Sequence, residues 1–122
     1  MSGNDKGHAA TPAVDRCHEL LRWIVPVIDR FPRSRRFTLG DRLESTLLDV
    51  LALVLRAAFH HDKVDALQEA NVRLALTRHL WRLALELTVI SPKAYEQGSR
   101  LMLDLGRQIG GWHRSLGKRA GS

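Results

Sequence analysis

Hydrophobic residues recur at three- and four-residue intervals through most of the chain, which predicts helices and no competing strands. Turn signals separate four such segments at FPRSRRF (31–37), HHDK (60–63) and SPKAY (91–95). Four helices joined by short connections run antiparallel to their neighbours, so we expect an all-α, up-down-up-down four-helix bundle. The stripes are Val14, Cys17, Leu21, Ile24, Ile28 and Phe31; Leu39, Leu43, Leu47, Val50, Val54 and Ala57; Val64, Leu67, Leu74, Trp81 and Leu85; and Tyr95, Met102, Leu105, Ile109 and Trp112.

Local signals refine the ends of these helices. Pro26 is expected to kink the first helix. Thr38, followed by Asp41 in the first turn, marks a start for the second helix, and Ser91 before Pro92 marks the start of the fourth. We predict a bundle domain over 12–116, a disordered tail over 1–11 and a flexible tail over 117–122.

The second and third helices carry more apolar residues than the core of a four-helix bundle needs. Surplus apolar surface on a small bundle predicts association with another molecule. The additional positions are Leu48, Leu51 and Leu55 on the second helix and Val72, Leu76, Leu83 and Leu87 on the third.

Composition adds a charge argument. The 122 residues carry 19 Lys and Arg against 13 Asp and Glu, a net charge of +6, and 15 of the basic residues are Arg. Arginine suits bidentate contacts with phosphate and carboxylate groups.

Cys17 is the only cysteine, which excludes an internal disulfide, and neither a signal peptide nor an apolar run of membrane-spanning length occurs. We therefore expect a cytoplasmic protein with no membrane contact.

The excess positive charge is concentrated in two regions. Residues 32–60 carry a net charge of +2 and residues 91–122 a net charge of +4. The first group (Arg33, Arg35 and Arg36) lies between Phe31 and Phe37, which are expected to pin the turn to the bundle. The turn is either a polyanion contact or simply solvated. On the fourth helix, a seven-residue spacing aligns Arg100, Arg107, Arg114 and Lys118 in a row suited to a phosphate backbone.

Two alternatives stay open for the helical arginines. Asp104 lies within three or four residues of Arg100 and Arg107, so the row is either a binding surface or a neutralised, solvated face. On the third helix, Arg82 has Glu86 one turn away, whereas Arg78 lies on the apolar stripe without an evident role.

The sequence gives little support for a catalytic function. A di-iron carboxylate bundle needs two Glu-x-x-His motifs, and this chain has none. His60 and His61 are adjacent and make a poor metal pair, so no metal or other cofactor is expected. A small helical, metal-independent RNase of the HEPN type uses an arginine and a histidine at a spacing found at Arg56/His61, Arg73/His79 and Arg107/His113. That RNase remains an alternative.

Several motifs together resemble one family. They are W-x-x-P from Trp23, FPRSRRFTLGDR at 31–42, the pair Arg78 and Arg82, SP at 91–92, and GRQIGGW at 106–112. In this order they resemble the accessory variability proteins, Avd, of diversity-generating retroelements, over about residues 14–116. That family is related to four-helix proteins encoded in ribosomal RNA intervening sequences.

The resemblance implies a basic, barrel-shaped homopentamer that binds RNA or DNA and associates with the reverse transcriptase of the retroelement. It implies no catalysis by the protein itself, and it maps the basic pair of the family onto Arg78 and Arg82. A protein of the ribosomal intervening-sequence type, with no polymerase partner, is the second alternative.

Overall fold

Four long helices make up most of the computed structural model, which describes the backbone of residues 2–121 and the side chains of residues 12–117. Helix α1 spans Ser2–Asp29, α2 spans Asp41–Phe59, α3 spans Lys63–Glu86 and α4 spans Pro92–Gly121. Residues 2–121 contain no strand. The all-helical prediction with four helices is thereby confirmed, while most side chains of the two predicted tails lie outside the described part.

The helices form a closed ring of contacts. Helix α1 packs against α2 and α4, and α3 packs against the same two helices. Because residues 60–62 and 87–91 are too short to carry the chain to the far end of the molecule, consecutive helices run in opposite directions. This is the arrangement of a four-helix bundle. Among the described residues, none of the helices combines the length and the hydropathy that a transmembrane span requires.

The α1–α2 connection is more helical than the sequence predicts. Arg33–Arg35 form one helical turn, and a π-helical turn, Arg36–Gly40, leads directly into α2. Thr38 is therefore no N-cap: its hydroxyl donates to the Arg35 carbonyl oxygen at 3.3 Å. Gly40 permits close packing here, since a Cβ atom at this position would lie 3.0 Å from Ile28 Cγ2.

The predicted start of α4 is confirmed by its cap. The Ala94 backbone N–H donates to the Ser91 hydroxyl at 3.1 Å, and Pro92 is the first helical residue. This bond satisfies one of the N–H groups that a helix start leaves without a partner.

The core lies along the predicted stripes, with Trp81 as its largest fully buried side chain. Trp81 meets the edge of Trp23 at a centroid distance of 5.8 Å, and its indole N–H donates to the Tyr95 carbonyl oxygen at 3.0 Å. The stripe predicted for α3 is wrong at Val64, which is 44% exposed. The same helix instead buries small residues that the pattern did not identify, namely Ala66, Ala70, Thr77 and Ala84.

Cys17 belongs to this core. Its side chain is fully buried, and that burial raises the pKa of the thiol to about 12. The thiol is therefore protonated at neutral pH, and it acts as a small apolar side chain rather than as a nucleophile.

Five of the seven surplus apolar residues are exposed, whereas Leu51 and Leu76 are partly buried. With Phe59, the exposed apolar residues of α2 lie along one face of that helix; Val72 and Leu83 lie along one face of α3, and Leu87 follows its last residue. We call these sets the α2 stripe and the α3 stripe; they are Leu48, Leu55 and Phe59, and Val72, Leu83 and Leu87. Asp49 of α2 pairs with Arg73 of α3 at 3.7 Å on a different side of each helix, so the two stripes are not buried against each other.

Candidate functional site

A groove between α3 and α4 is lined by four of the nine predicted basic residues, namely Arg78, Arg82, Arg107 and Arg114. Its walls come from successive turns of the two helices, and both polar and apolar residues line them. We call this surface the α3–α4 groove; it is lined by Asn71, Leu74, Ala75, Arg78, Leu103, Gly106, Arg107 and Arg114 and is continued by His79, Arg82, Tyr95 and Ser99.

Arg78 occupies the centre of the groove. Its guanidinium crosses from α3 to α4 and donates to the Met102 carbonyl oxygen at 3.2 Å. Gly106 makes this path possible, because a Cβ atom there would collide with Arg78 Nη2. Arg78 remains exposed and has no carboxylate partner among side chains 12–117. The missing role of Arg78 is thus explained by a contact that sequence spacing within one helix does not reveal.

Arg82 lies one turn further along the same groove. Its Nε lies 3.5 Å from Glu86 Oε2, and the Arg82 side chain is 65% exposed. This is the predicted pairing with Glu86. Such an exposed pair contributes little to stability, typically below about 1 kcal/mol, so it does not prevent Arg82 from contacting another anion.

The predicted row on α4 is divided by the structure. Arg100 pairs with Glu96 at 2.6 Å and does not line the groove. Arg107 and Arg114 line it and have no ion-pair partner among the described side chains. The side chain of Lys118 lies outside the described residues.

Asp104 does not neutralise this row. Its carboxylate lies 2.7 Å from Nε of Arg16 on α1. Of the two alternatives left open by the sequence, the one in which Asp104 neutralises Arg100 and Arg107 is therefore not the arrangement in the structure. Arg78, Arg107 and Arg114 then form a cluster of three guanidinium groups from two helices, with no described carboxylate on any of them.

The arginines of the α1–α2 connection lie apart from the groove. Arg33, Arg35 and Arg36 are all exposed, and this segment packs against α1 and α2. Phe31 is buried, as expected, but Phe37 is 62% exposed and so does not pin the connection to the bundle. The Arg36 guanidinium instead lies 5.4 Å from the centre of the Phe37 ring.

The candidate catalytic pairs do not assemble. Among the described residues, no group of three His, Cys, Asp or Glu is arranged to hold a metal ion. Arg56 hydrogen-bonds Asp62 and thereby lowers the pKa of that carboxyl, whereas Arg73 pairs with Asp49 and Glu69. Arg73/His79 and Arg107/His113 are each six residues apart on one helix, so the two side chains point about 120° apart.

Comparison with known proteins agrees with the sequence motifs. The model of the bAvd-like family matches residues 13–116. That match includes α2 and α3 entirely and most of α1 and α4, and it confirms the resemblance found in the sequence. No curated protein matches the chain.

Proposed function

Because the chain belongs to the bAvd-like family, we propose that it is a non-catalytic accessory protein of a diversity-generating retroelement. In this role it binds nucleic acid, either the template RNA or its cDNA, together with the reverse transcriptase of the element. It acts in the cytoplasm, where both are present, and requires no cofactor. The observation that carries the proposal is the convergence of Arg78, Arg107 and Arg114 on one open groove.

The chemistry of the groove favours a phosphate-bearing partner. Each guanidinium presents several N–H donors in a planar fork that matches two phosphate oxygens. Two acids of α4 pair with other arginines, since Asp104 pairs with Arg16 and Glu96 with Arg100. Apolar side chains, Leu74 and Leu103, line the groove between the arginines. This combination suits a nucleic acid backbone better than a small, fully enclosed ligand.

A homopentameric ring is the assembly we propose. In a ring, each copy contacts its two neighbours through two unlike surfaces. The α2 stripe and the α3 stripe belong to different helices and are both exposed, so we assign one of them to each contact. Burying both would remove from water the large apolar side chains that a single copy exposes.

The solution mass tests the ring. At high salt and free of nucleic acid, light scattering is expected to give about 69 kDa, five times the 13.8 kDa chain. Changing Leu48→Glu together with Leu55→Glu is expected to lower the mass, because it buries charge in the proposed contact. Ser45→Glu, an exposed change on the same helix, serves as the control. A wild-type mass of one or two chains would contradict the ring.

The groove arginines test the binding function. The double change Arg78→Ala and Arg82→Ala is expected to weaken binding of RNA or of the reverse transcriptase by about tenfold to a hundredfold. This range corresponds to about 1.4–2.8 kcal/mol, which is the contribution of about one hydrogen bond to a charged group. Dissociation constants from fluorescence anisotropy and co-purification with the polymerase measure the two partners separately.

A charge-matched control accompanies that experiment. Arg56→Ala with Arg73→Ala removes the same net charge from side chains that already pair with carboxylates. It is expected to leave binding within about twofold of wild type. If the Arg78 and Arg82 double variant folds and binds both partners like wild type, the groove is not the binding surface.

A further inference from the structure

Seven consecutive exposed residues, Pro32–Thr38, form the corner between α1 and α2. Every charged residue from 30 to 40 is an arginine. Arg33, Arg35 and Arg36 have no ion pair with any described carboxylate. Between them and α2, Phe37 exposes 62% of its surface to water. We call this segment the Phe37 corner.

The Phe37 corner is held firmly at both ends. Phe31 on one side and Leu39 and Gly40 on the other are buried. The backbone N–H groups of Arg35 and Arg36 both donate to the Pro32 carbonyl oxygen, at 2.8 Å and 3.0 Å. Phe37 is therefore presented by an ordered, hydrogen-bonded turn and not by a loose loop.

The π-helical turn explains why Phe37 points outward. A π-helical turn accommodates one more residue than an α-helical turn, which changes the direction of the side chains within it. In Arg36–Gly40 the buried positions are Leu39 and Gly40, and the positions before them face water. Such turns are frequent at functional sites.

An exposed aromatic ring among unpaired arginines has the chemistry of a base-stacking site. The ring of Phe37 offers an apolar face to a nucleobase, and base–aromatic stacking tolerates any base. The Arg36 guanidinium, 5.4 Å from the ring centre, is placed to contact a base or its phosphate. Arg33 and Arg35 supply positive charge for neighbouring phosphates.

We propose that the Phe37 corner binds single-stranded nucleic acid, with an unpaired base stacked on Phe37 and the flanking phosphates on Arg33, Arg35 and Arg36. The preference for a single strand follows from stacking, because the bases of a duplex are already stacked on one another. This proposal rests on the proposed function and deepens it: it names the strand state that a second site, apart from the α3–α4 groove, recognises.

Three substitutions at one position separate stacking from general hydrophobicity. Phe37→Ala removes the ring, Phe37→Leu keeps an apolar side chain without a ring, and Phe37→Trp keeps an aromatic face. Dissociation constants are measured by anisotropy for a labelled 20-nucleotide oligo(U) and for a 20-base-pair RNA duplex at the same salt. Phe37→Ala and Phe37→Leu are expected to weaken oligo(U) binding by about tenfold and duplex binding by less than about twofold, whereas Phe37→Trp binds oligo(U) like wild type.

The charged part of the corner has its own variant. Arg33→Ala with Arg35→Ala is expected to weaken oligo(U) binding, because two phosphate contacts are lost, while circular dichroism and solution mass stay those of wild type. Since these side chains are exposed and make no described ion pair, the fold does not depend on them.

Results other than those expected would contradict the proposal, and each would indicate a different role for Phe37. Equal losses for oligo(U) and duplex in Phe37→Ala, or wild-type binding by Phe37→Leu, would show that Phe37 does not stack on a base. A changed solution mass would show that Phe37 is a contact between copies, and loss of polymerase binding alone would make it a protein contact. If oligo(U) binding depends on Arg78 and Arg82 but not on Phe37, only this inference fails. If the wild-type protein binds neither RNA at low salt, the nucleic-acid part of the proposed function fails with it.

Discussion

Replacing Trp81 with alanine is expected to lower the free energy of unfolding by about 3–5 kcal/mol, the range for large-to-small changes of this kind in a core. Trp81 is 1% exposed, and it contacts Trp23 edge to face. Its removal also leaves the Tyr95 carbonyl oxygen without the indole donor. Urea denaturation followed by circular dichroism at 222 nm measures the change.

Two glycines on α4 test the packing around Trp81 more specifically. A Cβ atom at Gly98 would lie 2.7 Å from the Trp81 ring, closer than carbon atoms approach without displacement. Gly98→Ala is therefore expected to destabilise the protein by about 1–3 kcal/mol. Gly111 on the same helix has open space, since its Cβ atom would meet only the Arg114 guanidinium at 3.9 Å. Gly111→Ala is expected to stabilise by about 0.5–1 kcal/mol, because alanine favours a helix interior.

A double-mutant cycle identifies the cause of the Gly98 effect. If the clash with the indole ring is responsible, Gly98→Ala costs less in a Trp81→Leu background than in the wild type. An equal cost in both backgrounds would contradict the packing of Gly98 against Trp81. Equal effects of Gly98→Ala and Gly111→Ala would contradict it as well.

Affinity for RNA is expected to fall by about a thousandfold between 50 and 200 mM salt. Six arginines of the two candidate surfaces have no described carboxylate partner, and about six phosphate contacts give a loss of this size through counterion release. Anisotropy titrations across this salt range give the slope of log affinity against log salt. The six are Arg33, Arg35, Arg36, Arg78, Arg107 and Arg114.

Two residues on α4 decide whether the groove contributes to that slope. Arg107→Ala is expected to reduce the slope by about 1, because one phosphate contact is lost. Arg100→Ala, seven residues earlier on the same helix, is expected to leave the slope unchanged, since Arg100 pairs with Glu96 outside the groove. Identical slopes for the two variants, or an affinity independent of salt, would exclude a phosphate contact at Arg107.

Features that depend on near neighbours in the chain were predicted well. The periodic stripes located the helices, and Ser91 with Pro92 located the start of α4. The pair Arg82–Glu86 was also correct, because residues four apart on a helix are always adjacent. The motifs from Trp23 to Trp112 identified the family that the family model then matched.

The predictions for Thr38, Phe37 and Val64 were wrong, because the local sequence did not fix where the helix begins or which of its faces is buried. Thr38 has the chemistry of an N-cap, but the π-helical turn carries the helical backbone through it. That same turn rotates Phe37 into water. Val64 fits the apolar stripe of α3, yet that helix packs through small residues such as Ala66 and Ala70. A pattern based on large apolar residues does not identify such small residues as part of the core.

Periodicity, capping and motif order are properties of neighbouring residues, and they were enough to predict the four helices, most of the core and the family. Which arginines are free to bind a partner depends instead on how the helices pack. Asp104 pairs with Arg16 of α1 although Arg100 and Arg107 are nearer in sequence. Arg78 donates to the carbonyl oxygen of Met102, which lies 24 residues later in the chain, and its side chain passes over Gly106. Ion pairs and hydrogen bonds between helices depend on which faces meet after packing, and spacing along one helix does not contain that information.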